Sequence, residues 1–473
     1  MTNKINTHER GSIPSRLNFI ENILRGKKLE PLIDLSGGTS TKEGDRYDED
    51  DETRSNKSYD TRVVLKKKLH NFSQIITEIG GKLTYIKSGT TGHTFKGENE
   101  FLDYALKVVA YPKKARYGTI YDSRRPENAE LMMIKVLSQF IVKKQTPHIV
   151  LPIGTFNTRI SNFVNLMRDG YIDGDNKNYE KFVKRYNDGE FYDEVSILIS
   201  EWANKGDFLE FVRNYYKHFT PMHWKVFFFQ IISTLAVIQT KYPSFRHNDL
   251  KANNILVDKI GVKNDICSYT VMGASYKVQN IGYHIKITDF DFARIPGVVD
   301  NAKVESDWTQ KINVVPEQNR YYDVHYFFNT FIKNNFFGKY WNTSSKIPLE
   351  AKQFVDRIVP KKYREHFEDR KDNIIGESGR YLGKTEFITP NAILKTDPYF
   401  EEFRQKKIKP SGPPDTRRRL SKEGPIPRTP DLGKFLKSNA SEDVDIVKLL
   451  NKRQKKDFSE KIRKINPDDV LLS

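Results

Sequence analysis

Cysteine is almost missing from this chain. Cys267 is the one thiol in 473 residues, so no internal disulfide can form, and the chain fits a reducing compartment. Long apolar runs are also scarce. The most apolar stretch, Trp224 to Ile238, carries Lys225, Gln230, Ser233 and Thr234, and reads as too short and too polar to span a bilayer, so no transmembrane segment is expected. The first 30 residues are polar and basic without an apolar centre, which argues against a secretory signal. Acidic residues are outnumbered: 61 Asp and Glu face 79 Lys and Arg, a formal charge of +18. That surplus suits an acidic partner such as nucleic acid, anionic lipid or acidic protein, although basic tails on an enzyme give the same balance. Hydrophobic content of 37% with 12% aromatic supplies a real core, while 30% charged residues and a mean hydropathy of −0.66 require sizeable solvated segments.

The texture changes along the chain. Residues 1–75 read as a polar, largely flexible extension, with an acidic run from Asp45 to Glu52 between basic stretches. From about Lys82 strand signals begin, with a glycine-bearing turn between Tyr85-Ile86 and Thr94-Phe95, then the apolar run Tyr104 to Ala110. Pro126 to Lys144 has helical spacing with proline at its start. His148 to Ile153 and Ser196 to Ile199 read as strands, with 157–194 a polar surface insertion between them. Beyond them Trp224 to Ile238 and Val324 to Ile332 read as buried helices, and Ile255 to Val257 and Ile285 to Ile287 as short strands. Residues 406–473 hold 18 Lys and Arg against 10 Asp and Glu and read as a mostly disordered tail, with a short helix over Asp443 to Asn451. Strands first and helices afterwards imply an α+β, two-lobed molecule with a cleft between the lobes.

The densest chemistry lies in His247-Asn248-Asp249-Leu250-Lys251-Ala252-Asn253-Asn254, followed by Asp289-Phe290-Asp291 after an apolar run. Phosphoryl transfer needs a carboxylate to orient and deprotonate a hydroxyl, an amide and a second carboxylate for a metal ion, and a cation for the moving phosphate. Asp249 to Asn254 has the D-x-x-x-x-N spacing of a kinase catalytic loop. Upstream, Gly89 and Gly92 in Lys87 to Thr94 allow backbone N–H groups to approach phosphates. Lys107, in Tyr104-Ala105-Leu106-Lys107, is a strand lysine that needs a partner.

This ordered set resembles the eukaryotic-type protein kinase superfamily over roughly residues 80–405. The resemblance implies a kinase domain over 76–405, with an N-lobe at about 76–200, a C-lobe at about 204–405 and insertions at 157–194 and 259–284, the latter an extended hairpin. It implies ATP and Mg2+, with Mn2+ as a substitute, as cofactors, and protein Ser/Thr hydroxyls as substrates. Asp249 becomes the base, and Lys251 neutralises the γ-phosphate and marks Ser/Thr specificity. Asn254 and Asp289 hold metal, and His247 packs beneath the loop. Lys107 meets the phosphates and a helix carboxylate: Glu130, with Glu127 as competitor one turn earlier. Ser200 to Ala203 resembles the hinge that binds adenine through backbone groups, placing Glu201 and Ala203 against the base, where any side chain would serve. Asp207 is either a ribose ligand or a helix cap. Asp323 looks like the buried aspartate that anchors the catalytic loop, and Val315-Pro316-Glu317 resembles A-P-E.

Departures from the pattern matter as well. Lys87 stands for the first loop glycine, Asn248 for the arginine of H-R-D, and Asp291 for the glycine of D-F-G. Without that arginine, obligatory activation-loop phosphorylation is not expected. The glycine-poor loop, Asp-Phe-Asp-Phe, the long span before Asp289 and Tyr-Tyr-Asp before an aromatic helix resemble the Ser/Thr kinases of poxviruses and other large cytoplasmic DNA viruses. That implies a virion-packaged enzyme of the host cytoplasm, acting in assembly. Two other readings remain open at this point: a pseudokinase scaffold, motivated by the missing glycine and arginine, and a small-molecule kinase of related fold, against which Lys251 argues. The tail motifs Arg417 to Ser421 and Arg428-Thr429-Pro430 look like phosphoacceptor sites, and the tail itself is a candidate binder of nucleic acid or acidic lipid.

Overall fold

The computed structural model describes residues 11–35, 60–89, 92–99, 102–172, 175–261, 265–314, 317–364, 374–376 and 378–405. The expected helix over 443–451 and the tail motifs fall outside them.

The N-terminal region carries helices α1 (Ile13–Leu24), α2 (Thr61–Val64) and α3 (Phe72–Ile79). Ser12 caps α1 by accepting the Ser15 N–H, and a proline sits in the first turn, the usual start signals of a helix. Its apolar stripe, Phe19, Ile20, Ile23 and Leu24, is buried. The flexible extension expected over 1–75 is therefore corrected for 11–35 and 60–75. A helical period hidden among polar residues found a partner surface, which composition alone does not report.

Strands β1 (Lys82–Ser88), β2 (Gly92–Glu98) and β3 (Asp103–Pro112) form a meander, followed by helix α4 (Pro126–Val142) and strand β4 (Pro152–Arg159). Helix α5 (Lys177–Asn187) precedes strand β5 (Phe191–Glu201). The five strands make one antiparallel sheet in the order β1-β2-β3-β5-β4. The expected insertion at 157–194 thus begins inside β4, ends inside β5 and holds α5. The strand expected from His148 begins at Pro152 instead.

The second half is mainly helical: α6 (Phe208–Tyr215), α7 (Pro221–Lys241), the paired strands β6 (Ile255–Lys259), β7 (Ile266–Val271), β8 (Ala274–Gln279) and β9 (Tyr283–Ile287), then α8 (Asp307–Lys311), α9 (Tyr322–Phe331), α10 (Lys339–Thr343), α11 (Leu349–Ile358) and α12 (Pro390–Thr396). β6 pairs with β9, and β7 with β8 as the expected extra hairpin. One face of that hairpin is buried: Tyr269 and Tyr276 pack edgewise and tilted on Phe229 of α7. By length and composition alone α7, at 21 residues, is long and apolar enough to cross a membrane. Most of it lies in the core, between α9, α11, α12 and the β7–β8 hairpin, so it is a buried core helix.

Buried charge ties α1 to the end of β5. The Arg16 guanidinium donates from Nε to Glu201 Oε2 at 2.9 Å and from Nη2 to the carbonyl of Ile149 at 2.8 Å. Lys286 Nζ on β9 reaches Glu201 Oε2 and Asp258 Oδ2, both at 2.9 Å. Although burial opposes ionisation, Arg16 and Lys286 hold the Glu201 carboxyl down at about 2. A carboxyl depressed by folding contributes stability that is present above its unfolded value of 4.5 and lost as pH falls toward 2, on the order of 3 kcal/mol. Arg16→Met should therefore lower the unfolding free energy at pH 7 by about 3 kcal/mol and flatten the loss of stability below pH 4.5. Urea titrations across that range check this, and a variant as stable as the parent would show that α1 is not integral to the fold.

Candidate active site

The glycine turn joins β1 to β2. The Gly89 N–H donates to Gly92 O at 2.8 Å; residues 90 and 91 at the tip lie outside the described residues. The two glycines differ in what surrounds them. A Cβ at Gly92 would stand 1.9 Å from the Val108 carbonyl of β3, so packing alone forbids a side chain. At Gly89 the nearest atom to such a Cβ is 4.0 Å away, so no packing contact requires glycine there. Helix α5 lies against this hairpin: Asn178 Nδ2 donates to Ser88 O at 3.4 Å, and buried His93 of β2 packs on Phe182 at 4.4 Å between ring centres.

Lys107 is central on β3. Its Nζ lies 2.7 Å from Glu130 Oε1 on α4 and 3.1 Å from Asp289 Oδ1 beyond β9. Burial works against its charge, but the Asp289 and Glu130 carboxylates outweigh it and hold the ammonium well above the usual lysine range. Lys107 depresses Asp289 in turn. Burial pushes Glu130 up to about 7 against the pull of Lys107, because one ammonium must answer two carboxylates, with Asp291 near by. The Lys107 and Asp289 side chains are 34% and 44% exposed, so cleft water moderates these attractions. The competing Glu127 pairs instead with Arg125 at 3.0 Å.

The catalytic loop hangs from α9. The Asp323 carboxylate, fully buried, accepts the backbone N–H groups of His247 at 2.8 Å and Asn248 at 2.9 Å. Asn248 and Asp289 both adopt positive φ, +65° and +63°, a conformation that asparagine and aspartate tolerate better than most residues. His247 packs beneath, with Nε2 3.0 Å from Thr288 O and its ring 5.2 Å from that of Phe290. Asn254 Nδ2 donates to Asp249 O at 2.8 Å and to Asp249 Oδ2 at 3.0 Å, and Lys251 Nζ lies 3.2 Å from the same oxygen.

Two assignments change in detail. The Glu201 side chain is not interchangeable at the hinge: its carboxylate is consumed by Arg16, Lys286 and the Leu151 N–H, and its own N–H donates to Leu151 O at 3.0 Å, so its carbonyl is the group left for an adenine. Ala203 is buried just beyond. Asp207 is a helix cap, its Oδ1 accepting the Glu210 N–H at 3.0 Å, with burial raising its pKa. Of the A-P-E resemblance, 315 and 316 lie outside the described residues. Sequence reading missed Arg380, whose Nη2 lies 2.9 Å from Asp249 Oδ1 from 131 residues away, and Lys303, which pairs with Asp291. No local signal marks either one, because both contacts are purely tertiary.

The donor set suits a metal–triphosphate complex. With the Asn254 side-chain nitrogen committed to Asp249, its amide oxygen and the Asp289 carboxylate are the oxygens left for a hard cation. Such an ion usually takes one or two protein groups and completes its shell with water and phosphate. Among the described residues there is no cluster of three or more His, Cys, Asp or Glu that would hold a metal unaided.

A family model of poxvirus serine/threonine protein kinases matches residues 110–340. "Putative serine/threonine-protein kinase R400" of Acanthamoeba polyphaga mimivirus is 45% identical over 400 residues, covering 82% of this chain and 80% of the relative. The chain belongs to the poxvirus-type serine/threonine protein kinases. A second mimivirus protein, "Putative serine/threonine-protein kinase R301", is 33% identical over 118 residues, 23% of this chain and 30% of its own length. Membership brings ATP, a divalent metal and protein substrates in general terms. The fold agrees, with a five-stranded sheet ahead of a helical half.

Binding should therefore show a metal-dependent component in this kinase. ATP with a divalent ion at 100-fold its dissociation constant should stabilise the protein by about 2.7 kcal/mol. Asp289→Asn should lose the part removed by EDTA. Thermal-shift titrations of parent and variant read this directly, and an unaltered metal increment in the variant would remove Asp289 from the metal site.

Proposed function

We propose that this kinase transfers the ATP γ-phosphate to serine and threonine hydroxyls with Asp249 as the base, and that magnesium is its working metal. Lys107, steadied by Glu130, grips the phosphates beneath the Gly89–Gly92 turn. Backbone groups of Glu201 and Ala203 receive the adenine, and Asp207 keeps one carboxylate oxygen for the ribose. Asn254 and Asp289 hold the metal, which neutralises developing charge and orients the triphosphate when bound. Asp249 accepts the hydroxyl proton as the oxygen attacks phosphorus, and Lys251, beside the same carboxylate, balances charge on the phosphoryl group in flight. The observation that carries this reading is the Lys107 ammonium bridging Glu130 and Asp289 in one structure with an anchored Asp249 loop. A scaffold with no transferase role has little reason to retain such a strained arrangement of charge.

Activation-loop phosphorylation is not required in this proposal. The position that would answer a loop phosphate is Asn248, and its side chain donates to Phe292 O at 3.0 Å. The segment after Asp289 is instead tied by its own ion pairs, Asp291 to Lys303 and Arg294 to both Asp300 and Glu305. We place the enzyme in the virion and host cytoplasm, acting in particle assembly. Membership of a viral kinase family supports this, and proteomic detection in purified particles tests it. The basic tail contributes a surface for acidic partners.

Purified full-length protein with labelled ATP and magnesium or manganese should phosphorylate a generic protein substrate. Mass spectrometry should place the label on serine and threonine. Asp249→Ala should lower kcat by about 100-fold to 10,000-fold. Equal rates in parent and variant would overturn the assignment. A fully silent parent that still binds ATP would favour a scaffold, and label on sugars rather than proteins would favour the small-molecule alternative.

A further inference from the structure

Asp249 is held by a cation that its own loop does not contain. Residues 374–376 and 378–383 form a tight turn in which Leu382 N donates to Ile374 O at 2.7 Å and Gly376 N to Arg380 O at 2.9 Å. The turn presents Arg380 to the catalytic loop. Arg380 Nη2 donates to Asp249 Oδ1 at 2.9 Å, Nη1 reaches the Asn248 carbonyl and, at 3.1 Å, the Tyr322 hydroxyl, and the guanidinium lies 4.1 Å over the Tyr326 ring.

We propose that Arg380 is a positioning residue for phosphoryl transfer, clamping one oxygen of the Asp249 carboxylate while Lys251 and Asn254 hold the other. The inference rests on Asp249 being the base. A carboxylate gripped at both oxygens cannot rotate; Lys251 and Asn254 occupy Oδ2, so Oδ1, beside Arg380, is the oxygen that can face an incoming hydroxyl. Arginine suits the task because it stays charged when buried and its planar fork fixes direction as well as charge. With Asn248 in the H-R-D position the loop has lost its arginine, and the neighbouring Arg246 points elsewhere, to the carbonyls of Glu317 and Asn313 at 3.1 and 3.0 Å.

The surroundings favour a permanent clamp over a removable plug. Arg380 is 5% exposed, and among the described residues Asp249 is the carboxylate it pairs with. Buried Asn329 of α9 fixes the turn by donating to Gly379 O at 2.7 Å, and Asn313 bonds Tyr381 O. Gly379 sits at φ +77°, a left-handed conformation that other residues adopt only under strain. The titratable groups facing Asp249 are Lys251 from its own loop, Arg380 from the turn and Tyr326 from α9, with Tyr322 beyond the guanidinium.

The test compares Arg380→Gln, Arg380→Lys and Asn329→Ala in full-length protein, with kcat, KM for ATP, the pH profile of kcat and melting temperature measured for each. Removing a cation beside a carboxylate disfavours its charged form, so the acid limb of kcat should move up in Arg380→Gln. Its kcat at neutral pH should fall at least tenfold with KM for ATP within twofold. Arg380→Lys should restore the limb and part of kcat. Asn329→Ala, which loosens the turn without touching Asp249, should shift both in the same direction and keeps the test open if the glutamine variant does not fold. A lower melting temperature with unchanged kcat and acid limb overturns the proposal in favour of a packing role, and a rise in kcat overturns it in favour of a plug. Asp249→Ala is run alongside: turnover that survives it removes the base assignment itself, whereas Asp249-dependent turnover indifferent to Arg380 removes only the clamp.

Discussion

One ammonium holds the cleft together. Lys107 stands on β3, Glu130 on α4 and Asp289 beyond β9, so its two contacts, 2.7 and 3.1 Å long, join sheet, helix and catalytic half. The charges do not balance. A single cation faces Glu130 and Asp289, with Asp291 near by, and burial pushes Glu130 up to about 7. A site with surplus negative charge around Asp289 suits a cation, and phosphates would draw Lys107 toward themselves. Ligand binding would then relieve a repulsion as well as add contacts, which is how differential charge is stored before a reaction.

The segments outside the motif set brace this arrangement. Lys67 Nζ donates to Asn128 Oδ1 of α4 at 2.9 Å, Lys135 of α4 reaches Val64 O at 2.7 Å, and Thr61 N bonds Tyr121 O at 2.9 Å. Together they hold the helix that carries Glu130. Arg16 does the same for the end of β5 through Glu201. On the opposite edge, α5 covers the glycine hairpin through His93 and Asn178. A small sheet has little core of its own, so apolar and ionic contacts from added segments substitute for interior volume.

Charge has also been rerouted on the catalytic side. Asn248 and Asp291 remove an arginine and a flexible glycine from their usual places. The structure answers with Lys303 on Asp291, with stacking of Lys303 Nζ 3.7 Å over Phe292, and with Arg380 on Asp249. In each case a buried or half-buried carboxylate keeps a cation, which comes from 12 residues on for Asp291 and from 131 residues on for Asp249. That is what the cost of an unpaired buried charge demands, and it places no condition on where the partner sits in the sequence.

The sequence by itself determined the order of lobes, the identity of Asp249, Lys251, Asn254, Asp289 and Lys107, and the anchoring Asp323. Those choices are chemical, and a spacing as short as Asp249 to Asn254 is set by local loop geometry. It located β3, α4, α7 and α9 within a few residues because their apolar periods are strong. It failed where polar composition concealed a buried stripe, as in α1 and α5. Only the tertiary structure chose Glu130 over Glu127, made Asp207 a cap, committed the Glu201 side chain to Arg16 and Lys286, and brought Arg380 to Asp249. The pairings of Glu201 and of Arg380 join charges far apart in the chain, decided by which surfaces pack together, and a one-dimensional pattern does not encode that distance.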